Sequence, residues 1–451
     1  MDEELKKRAL NYHAYERAGK TEVAPTKPFG TVEELSLAYT PGVAAPVKEI
    51  DKERWKAYRY TNKGNLVAVV SNGSAVLGVG NVGALASKPV MEGKAMLFKV
   101  FADIDAFDIE ISENKPEKII STVQAIAPTF GGINLEDIKA PECFYIEEKL
   151  RGLLDIPVLH DDQHGTAVII SAALTNACAV AGKNLAEARI VICGAGAAGI
   201  STARMLVRMG VPKEHITMVD SKGVINSKRE GLDDIKKEFA IETLSVTLSQ
   251  AMINADAFIG VSKGNILHDQ DIEVMADRPI IFALANPTPE IEYSRACSLR
   301  PDAIIATGRT DLPNQINNSI VFPYIFRGAL DTLSTTINDA MLVAAARAIA
   351  AIARMPVPEE IERRYGRQLT FGKEYIIPKM GDPRLLTEVT AAVARSAMES
   401  GVARRGIASF GEYLDCLKAR VDNTLFFNSE KMRHRSRTRN HNGCENRLCK
   451  M

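Results

Sequence analysis

Aromatic side chains are scarce in this chain: they make up 6% of 451 residues, with a single Trp. A binding surface built on stacked aromatic rings is therefore not expected. Neither sign of charge is in excess. Lys plus Arg and Asp plus Glu number 56 each, which removes the electrostatic reason to expect nucleic acid or an anionic membrane as a partner. The seven cysteines, at 143, 178, 193, 297, 416, 444 and 449, form no CxxC pair. That excludes a disulfide framework and fits free thiols in a reducing, cytoplasmic setting. No apolar run reads as long enough for a membrane span. The opening Met1-Asp2-Glu3-Glu4-Leu5-Lys6-Lys7 is too acidic and polar for a signal peptide. No repeat of fixed period is present.

The rest is ordinary globular composition, 46% hydrophobic and 25% charged, in a chain long enough for two or three domains. Apolar runs alternate with helical stretches, which predicts an α/β fold with parallel sheets. In the first half, Asn65–Val70 reads as a strand and Ala75–Val79 as its return strand. A short helix follows through Gly93-Lys94-Ala95-Met96, then strand-like pieces over Lys99–Ile104 and on to Ile111. Ile119–Ala127 and Pro141–Leu150 read as helices, with a buried strand between them that ends at Leu135-Glu136-Asp137-Ile138. Ile156–Leu159 reads as a strand end and Val168–Ala181 as a helix. A second α/β unit begins near residue 183, with strands at 188–193, 216–220, 257–261, 279–283 and 303–307. From Ile316 onward the chain reads as mostly helical. The expected domains are 1–160, 161–400 for a Rossmann-type unit, a helical extension 401–427, and a tail 428–451. That tail carries seven basic against two acidic residues and is expected to be disordered.

Gly194-Ala195-Gly196-Ala197-Ala198-Gly199 lies between a buried strand and a helix. An acid, Asp220, closes the next strand 21 residues beyond Gly199. In that context the glycines permit a tight turn and close approach of a pyrophosphate to a helix N-terminus. Asp220 is placed to accept from ribose hydroxyls, which favours NAD. Lys222, two residues on, leaves room for the 2′-phosphate of NADP. A nicotinamide cofactor implies hydride transfer and a base that can shed its proton near neutral pH. Lys94 fits that role, since burial lowers a lysine pKa.

Glu136-Asp137 and Asp161-Asp162 end consecutive strands joined by a crossover helix, so the two pairs are expected side by side. Four carboxylates together call for a divalent cation, Mg²⁺ or Mn²⁺, which prefers oxygen ligands. His160 and His164 flank the second pair and read as structural. These residues leave two other readings open: a non-decarboxylating 2-hydroxyacid or amino-acid dehydrogenase, and a non-catalytic NAD-binding regulatory module.

The chain resembles the malic enzymes of the short bacterial and archaeal type. The resemblance rests on Ala38–Ala44, Leu77–Ala84, Glu92-Gly93-Lys94-Ala95, Leu135–Phe144, His160–Ala167, Ala285-Asn286-Pro287-Thr288 and Asn314–Asn318. It implies divalent-metal-dependent oxidative decarboxylation of (S)-malate to pyruvate and CO₂ with reduction of NAD(P), together with decarboxylation of oxaloacetate. It implies Tyr39 as general acid, Lys94 as general base and Asp161 as the acid that supports the lysine. Glu136, Asp137 and Asp162 would hold the metal. Asn286, Asn317 and Asn318 would lie at substrate and nicotinamide. It also implies a homodimer or tetramer. One departure stands out: where larger members carry a carboxylate-gripping arginine, this chain has Ala75. The backbone amides of Leu77–Gly83, or Arg309, are the remaining anchors for the malate carboxylate.

Overall fold

The computed structural model describes residues 3–14, 18–76 and 78–423. The basic tail lies outside the described residues. The first 60 residues form four helices: α1 (Glu3–Ala14), α2 (Val32–Ala38), α3 (Ala44–Lys52) and α4 (Ala57–Tyr60). None of the four buries a residue.

A four-stranded parallel sheet follows. Its strands are β1 (Leu66–Ser71), β2 (Asp105–Glu110), β3 (Gly132–Leu135) and β4 (Val158–His160), in the order β2-β1-β3-β4. Helices α5 (Ala84–Ala102), α6 (Pro116–Ile126) and α7 (Glu142–Leu153) connect them. β1 is buried along its whole length, as its unbroken apolar run requires in a sheet covered on both faces.

The long helix α8 (Asp161–Ala181) leads into a seven-stranded sheet, and α9 (Ala197–Arg208) follows its first strand. The strands are β5 (Ile190–Cys193), β6 (Ile216–Asp220), β7 (Gly223–Val224), β8 (Ala257–Gly260), β9 (Ile280–Ala283), β10 (Ile304–Thr307) and β11 (Asn314–Gln315). Their order, β11-β10-β9-β8-β5-β6-β7, is parallel except for the short β6–β7 pair. Later helices, among them Phe322–Asp331 and Asp339–Arg354, share one apolar core with β1, α5, α8 and strands of the second sheet.

Four expectations are corrected. Ala75–Val79 is not a strand; Val76 and Gly80 make a lone bridge within a loop. Gly78, Gly80 and Gly83 all take positive φ there, which an extended strand does not allow. The helix around Lys94 is not short. It has 19 residues and absorbs most of Lys99–Ile104, ending where Asp103 turns left-handed and donates back to Lys99 O. α8 begins at Asp161 rather than Val168, so both aspartates lie in its first turn, where the helix dipole favours negative charge. Finally, α8 is long and apolar enough to cross a membrane, although 78% of its most apolar window is buried inside the protein.

Candidate active site

β3 and β4 pair with Leu135 opposite His160. Glu136-Asp137 and Asp161-Asp162, which follow those positions, therefore emerge side by side. Oxygens of Glu136, Asp137 and Asp162 lie within 4.8 Å of one another. The backbone N–H of Asp137 donates to Asp162 Oδ2 at 2.8 Å, which locks the two strand ends together. Three hard oxygen donors in one place suit Mg²⁺ or Mn²⁺. Burial, the larger cause, pushes Glu136 up to about 7 and Asp162 up to about 6; Asp162 adds repulsion to Glu136, and Asp161 adds it to Asp162. A bound cation relieves that repulsion.

Lys94 comes from the middle of α5 and is 8% exposed. Its Nζ lies 2.6 Å from Asp161 Oδ2 and 2.8 Å from Glu136 Oε1. The Phe322 ring sits under the ammonium, 4.4 Å away at its centroid. Burial alone works against the lysine's charge, but Asp161, Glu136 and Asp162 outweigh it and raise its pKa above the ordinary value. This corrects the expectation that burial depresses it. Asp161 is fully buried and pushed up to about 7 by that burial, against the pull of Lys94. His160, also fully buried, is pushed down to about 4 by burial and is therefore neutral at pH 7. Its Nδ1 is 3.8 Å from Asp162 Oδ2. His164 pairs with Glu147 at 2.9 Å.

Two contributors escaped sequence reasoning. Phe322 belongs to a distant helix, and nothing local marks it. Gly165 is one helical turn beyond Asp161, and a Cβ there would overlap Asp161 Oδ1. Only glycine lets the aspartate fold back over its own helix toward Lys94. A helical glycine four residues after a catalytic acid was the available signal.

The glycine loop is built as expected. A Cβ on Gly199 would overlap Gly194 O and one on Gly194 would crowd Val261 O, whereas Gly196 faces open space, leaving its backbone approachable. Asp220 is already engaged within the chain. It pairs with Arg229 at 2.7 Å and Lys236 at 3.0 Å and accepts the Lys222 N–H at 2.9 Å. Burial opposes its charge, but these partners outweigh it and bring the carboxyl down to about 2.

The remaining residues divide. Asn318 packs beside Gly165, within reach of Asp161. Asn317 spends its side-chain oxygen on Ser319 N–H at 2.9 Å. Asn286 sits on the loop after β9, against Gly308, and the following Pro287 lies against Gly78 of the first-sheet loop. Arg309 is held by Asp311 at 2.7 Å. Ala75 N–H donates to Asp137 O at 2.9 Å, tying that loop to the cluster. Tyr39 is 70% exposed, and among the described residues its side chain has no bonding partner.

A doubly wound sheet with a phosphate-binding glycine loop, facing a carboxylate cluster with a buried lysine, defines a two-domain protein of the NAD(P)-binding class. The chain matches the family descriptions "Malic enzyme, N-terminal domain" over residues 18–115 and 112–151 and "Malic enzyme, NAD binding domain" over 163–363. It is 52% identical over 406 residues to the NADP-dependent malic enzyme of Halomonas elongata, covering 90% of this chain and 96% of that one. It is 54% identical over 430 residues to the NADP-dependent malic enzyme of Salmonella typhimurium, covering 95% of this chain but only 57% of that relative's length. The crystal structure of malic enzyme from Pyrococcus horikoshii superposes with a TM-score of 0.88 at 43% identity, covering 97% of this chain and all of that one. The chain belongs to the malic enzyme family.

Two outcomes test the geometry. Mn²⁺ affinity, measured by titration calorimetry, should rise between pH 5.5 and 7.5, because cluster acids held near 6 and 7 must lose protons before they can bind metal. A flat profile would contradict the assignment. Gly165→Ala should fold but lose at least about a hundredfold in turnover as Asp161 is displaced, and near-normal turnover would show that the aspartate's position is not decisive.

Proposed function

We propose that the chain oxidatively decarboxylates (S)-malate to pyruvate and CO₂ with reduction of NAD(P), and also decarboxylates oxaloacetate. The observation carrying this reading is the buried Lys94 bonded to Asp161 beside three convergent carboxylates. A non-decarboxylating dehydrogenase needs no such cluster.

Glu136, Asp137 and Asp162 would hold a divalent cation, which when bound would supply Lewis-acid stabilisation of developing negative charge. Lys94 would take the proton of the C2 hydroxyl after passing its own to Asp161, 2.6 Å away and pushed up to about 7 by burial, and the nicotinamide, when bound, would supply the hydride acceptor. Asp161 orients the lysine and would receive its proton, which frees the amine to act as general base, a contribution of roughly 10²–10⁴ in rate. After C4 leaves as CO₂, the enol of pyruvate needs a proton at C3, and Tyr39 is the donor. Asn286 and Asn318 flank the substrate.

The preferred cofactor is NADP. Asp220 is engaged by Arg229 and Lys236, which leaves its carboxylate unsuited to a ribose diol and sets two cations where a 2′-phosphate would lie. The relatives from Halomonas elongata and Salmonella typhimurium are both named NADP-dependent.

The working unit is a homo-oligomer. The helical segment over α1 to α4 carries exposed Leu10, Val32, Leu37, Tyr39, Val47 and Tyr60, apolar side chains that a second copy could cover. A second copy covering this segment would place Tyr39 in its partner's site. A cytoplasmic setting fits the free thiols Cys143, Cys178, Cys193, Cys297 and Cys416.

The direct test is an assay with L-malate and Mn²⁺, run separately with NADP and NAD; reduction of neither overturns the function. Arg229→Ser should raise the KM for NADP by about tenfold or more while sparing NAD, the cost of a lost charged hydrogen bond. Equal effects on both cofactors would refute the phosphate role. Tyr39→Phe and Lys94→Ala, each inactive alone, should regain activity when co-expressed if Tyr39 serves a partner's site. No recovery would place Tyr39 in its own chain's site.

A further inference from the structure

A groove of about 660 Å³ runs between α7, α9 and the first turns of α8. None of the residues that line it belongs to the carboxylate cluster or the glycine loop. Its size lies within the range of small-molecule sites, roughly 300–1,000 Å³.

Three side chains bring unused hydrogen-bond donors to the groove. Gln163 is 2% exposed, and among the described residues its Nε2 has no acceptor. A buried amide left in that state is costly unless something else accepts from it. Arg151 donates Nη2 to Ile337 O at 2.8 Å, and among the described residues no carboxylate lies within ion-pair distance of it. Arg204 spends Nε and Nη2 on Glu238, which leaves Nη1 for another acceptor. That ion pair is partly exposed and so holds the guanidinium only weakly.

Of the carboxylates nearby, Glu147 takes His164 Nε2 and the His160 N–H, Glu142 takes Lys139 through Oε1 while its buried Oε2 has no partner among the described residues, and Glu148 stands at the exposed rim. Arg208, the third guanidinium, is bound to Asp339. One wall is apolar and flat: Phe144, with Arg204 stacked 5.6 Å from its ring centroid, and Tyr145, which is exposed.

We infer that this groove binds an organic oxyanion, a carboxylate or phosphate on a flat apolar body. Gln163 Nε2, Arg151 and Arg204 Nη1 receive the oxyanion, and Phe144 and Tyr145 receive the body. Fork-like guanidinium donors suit the planar or trigonal array of oxygens on such a group. The floor is the helical turn directly after Asp162, so the ligand touches the helix that carries the cluster without entering the cluster.

The probe is phenyl phosphate, titrated calorimetrically into the full chain without metal and with saturating NADP to block the dinucleotide site. Saturable binding is expected, tighter than for inorganic phosphate run in parallel. Arg151→Gln and Gln163→Glu should each weaken it by about tenfold or more, the first by removing a charged donor and the second by adding a like charge. Both variants are checked by thermal melting, and either one alone suffices if the other fails to fold. No saturable binding in the presence of NADP, or affinity unchanged in a folded variant, overturns the site. Equal affinity for inorganic phosphate and phenyl phosphate overturns the role given to Phe144 and Tyr145.

Discussion

The ion pair between Lys94 and Asp161 is the constraint around which the rest of the structure is arranged. Both side chains are almost wholly out of water and 2.6 Å apart. Charges buried in that way are costly, and removing one partner typically costs about 3–5 kcal/mol because the other is left uncompensated. The fold meets the cost from several directions. α8 starts at Asp161, so its N-terminal dipole favours the aspartate's charge. Phe322 offers a ring face to the ammonium. Glu136 shares the lysine with Asp161 while also belonging to the metal-binding trio. Glu136 thus links the two halves of the chemistry, since its charge counts toward both the base and the cation.

How much of this could be read from the chain depended on how local each cause is. The dinucleotide half was legible because buried parallel strands are continuous apolar runs and the glycine loop follows one directly; Ile216–Asp220 appears in the structure with those bounds. The start of α8 was not legible. Its first turn, Asp161 to His164, is chosen for ligands and ion pairs, so it carries no apolar periodicity. The end of α5 misread for the opposite reason. Val100, Phe101 and Ala102 are buried in helix, and a short apolar run has the same composition as a strand. Ala75–Val79 looked extended, yet the glycines in and just after it turn the loop back on itself.

The site's residue types were visible in sequence, but their electrostatics were not. Lys94 was expected to lose its proton easily because burial alone has that effect. Three carboxylates brought from two other strand ends reverse it. Asp220 was read as a ribose acceptor because of its position at the end of β6. The partners that engage it, Arg229 and Lys236, are nine and sixteen residues away and meet it only through the fold. A residue's place in a motif gives its geometry, but its charge state depends on neighbours that the motif does not contain.

The position of the site between the two sheets follows from their topology. Ligands of open parallel sheets gather beyond the carboxyl ends of the strands. Here the two carboxyl edges face each other. The Gly78 loop, which follows β1, lies against Pro287, which follows β9. Gly165, at the start of α8, lies against Asn318, just beyond β11. These two contacts, made by different segments, close the space between the edges from two sides. The acidic cluster opens into it from the first sheet and the glycine loop from the second. A shared apolar core beneath both sheets fixes how far apart the two edges stand.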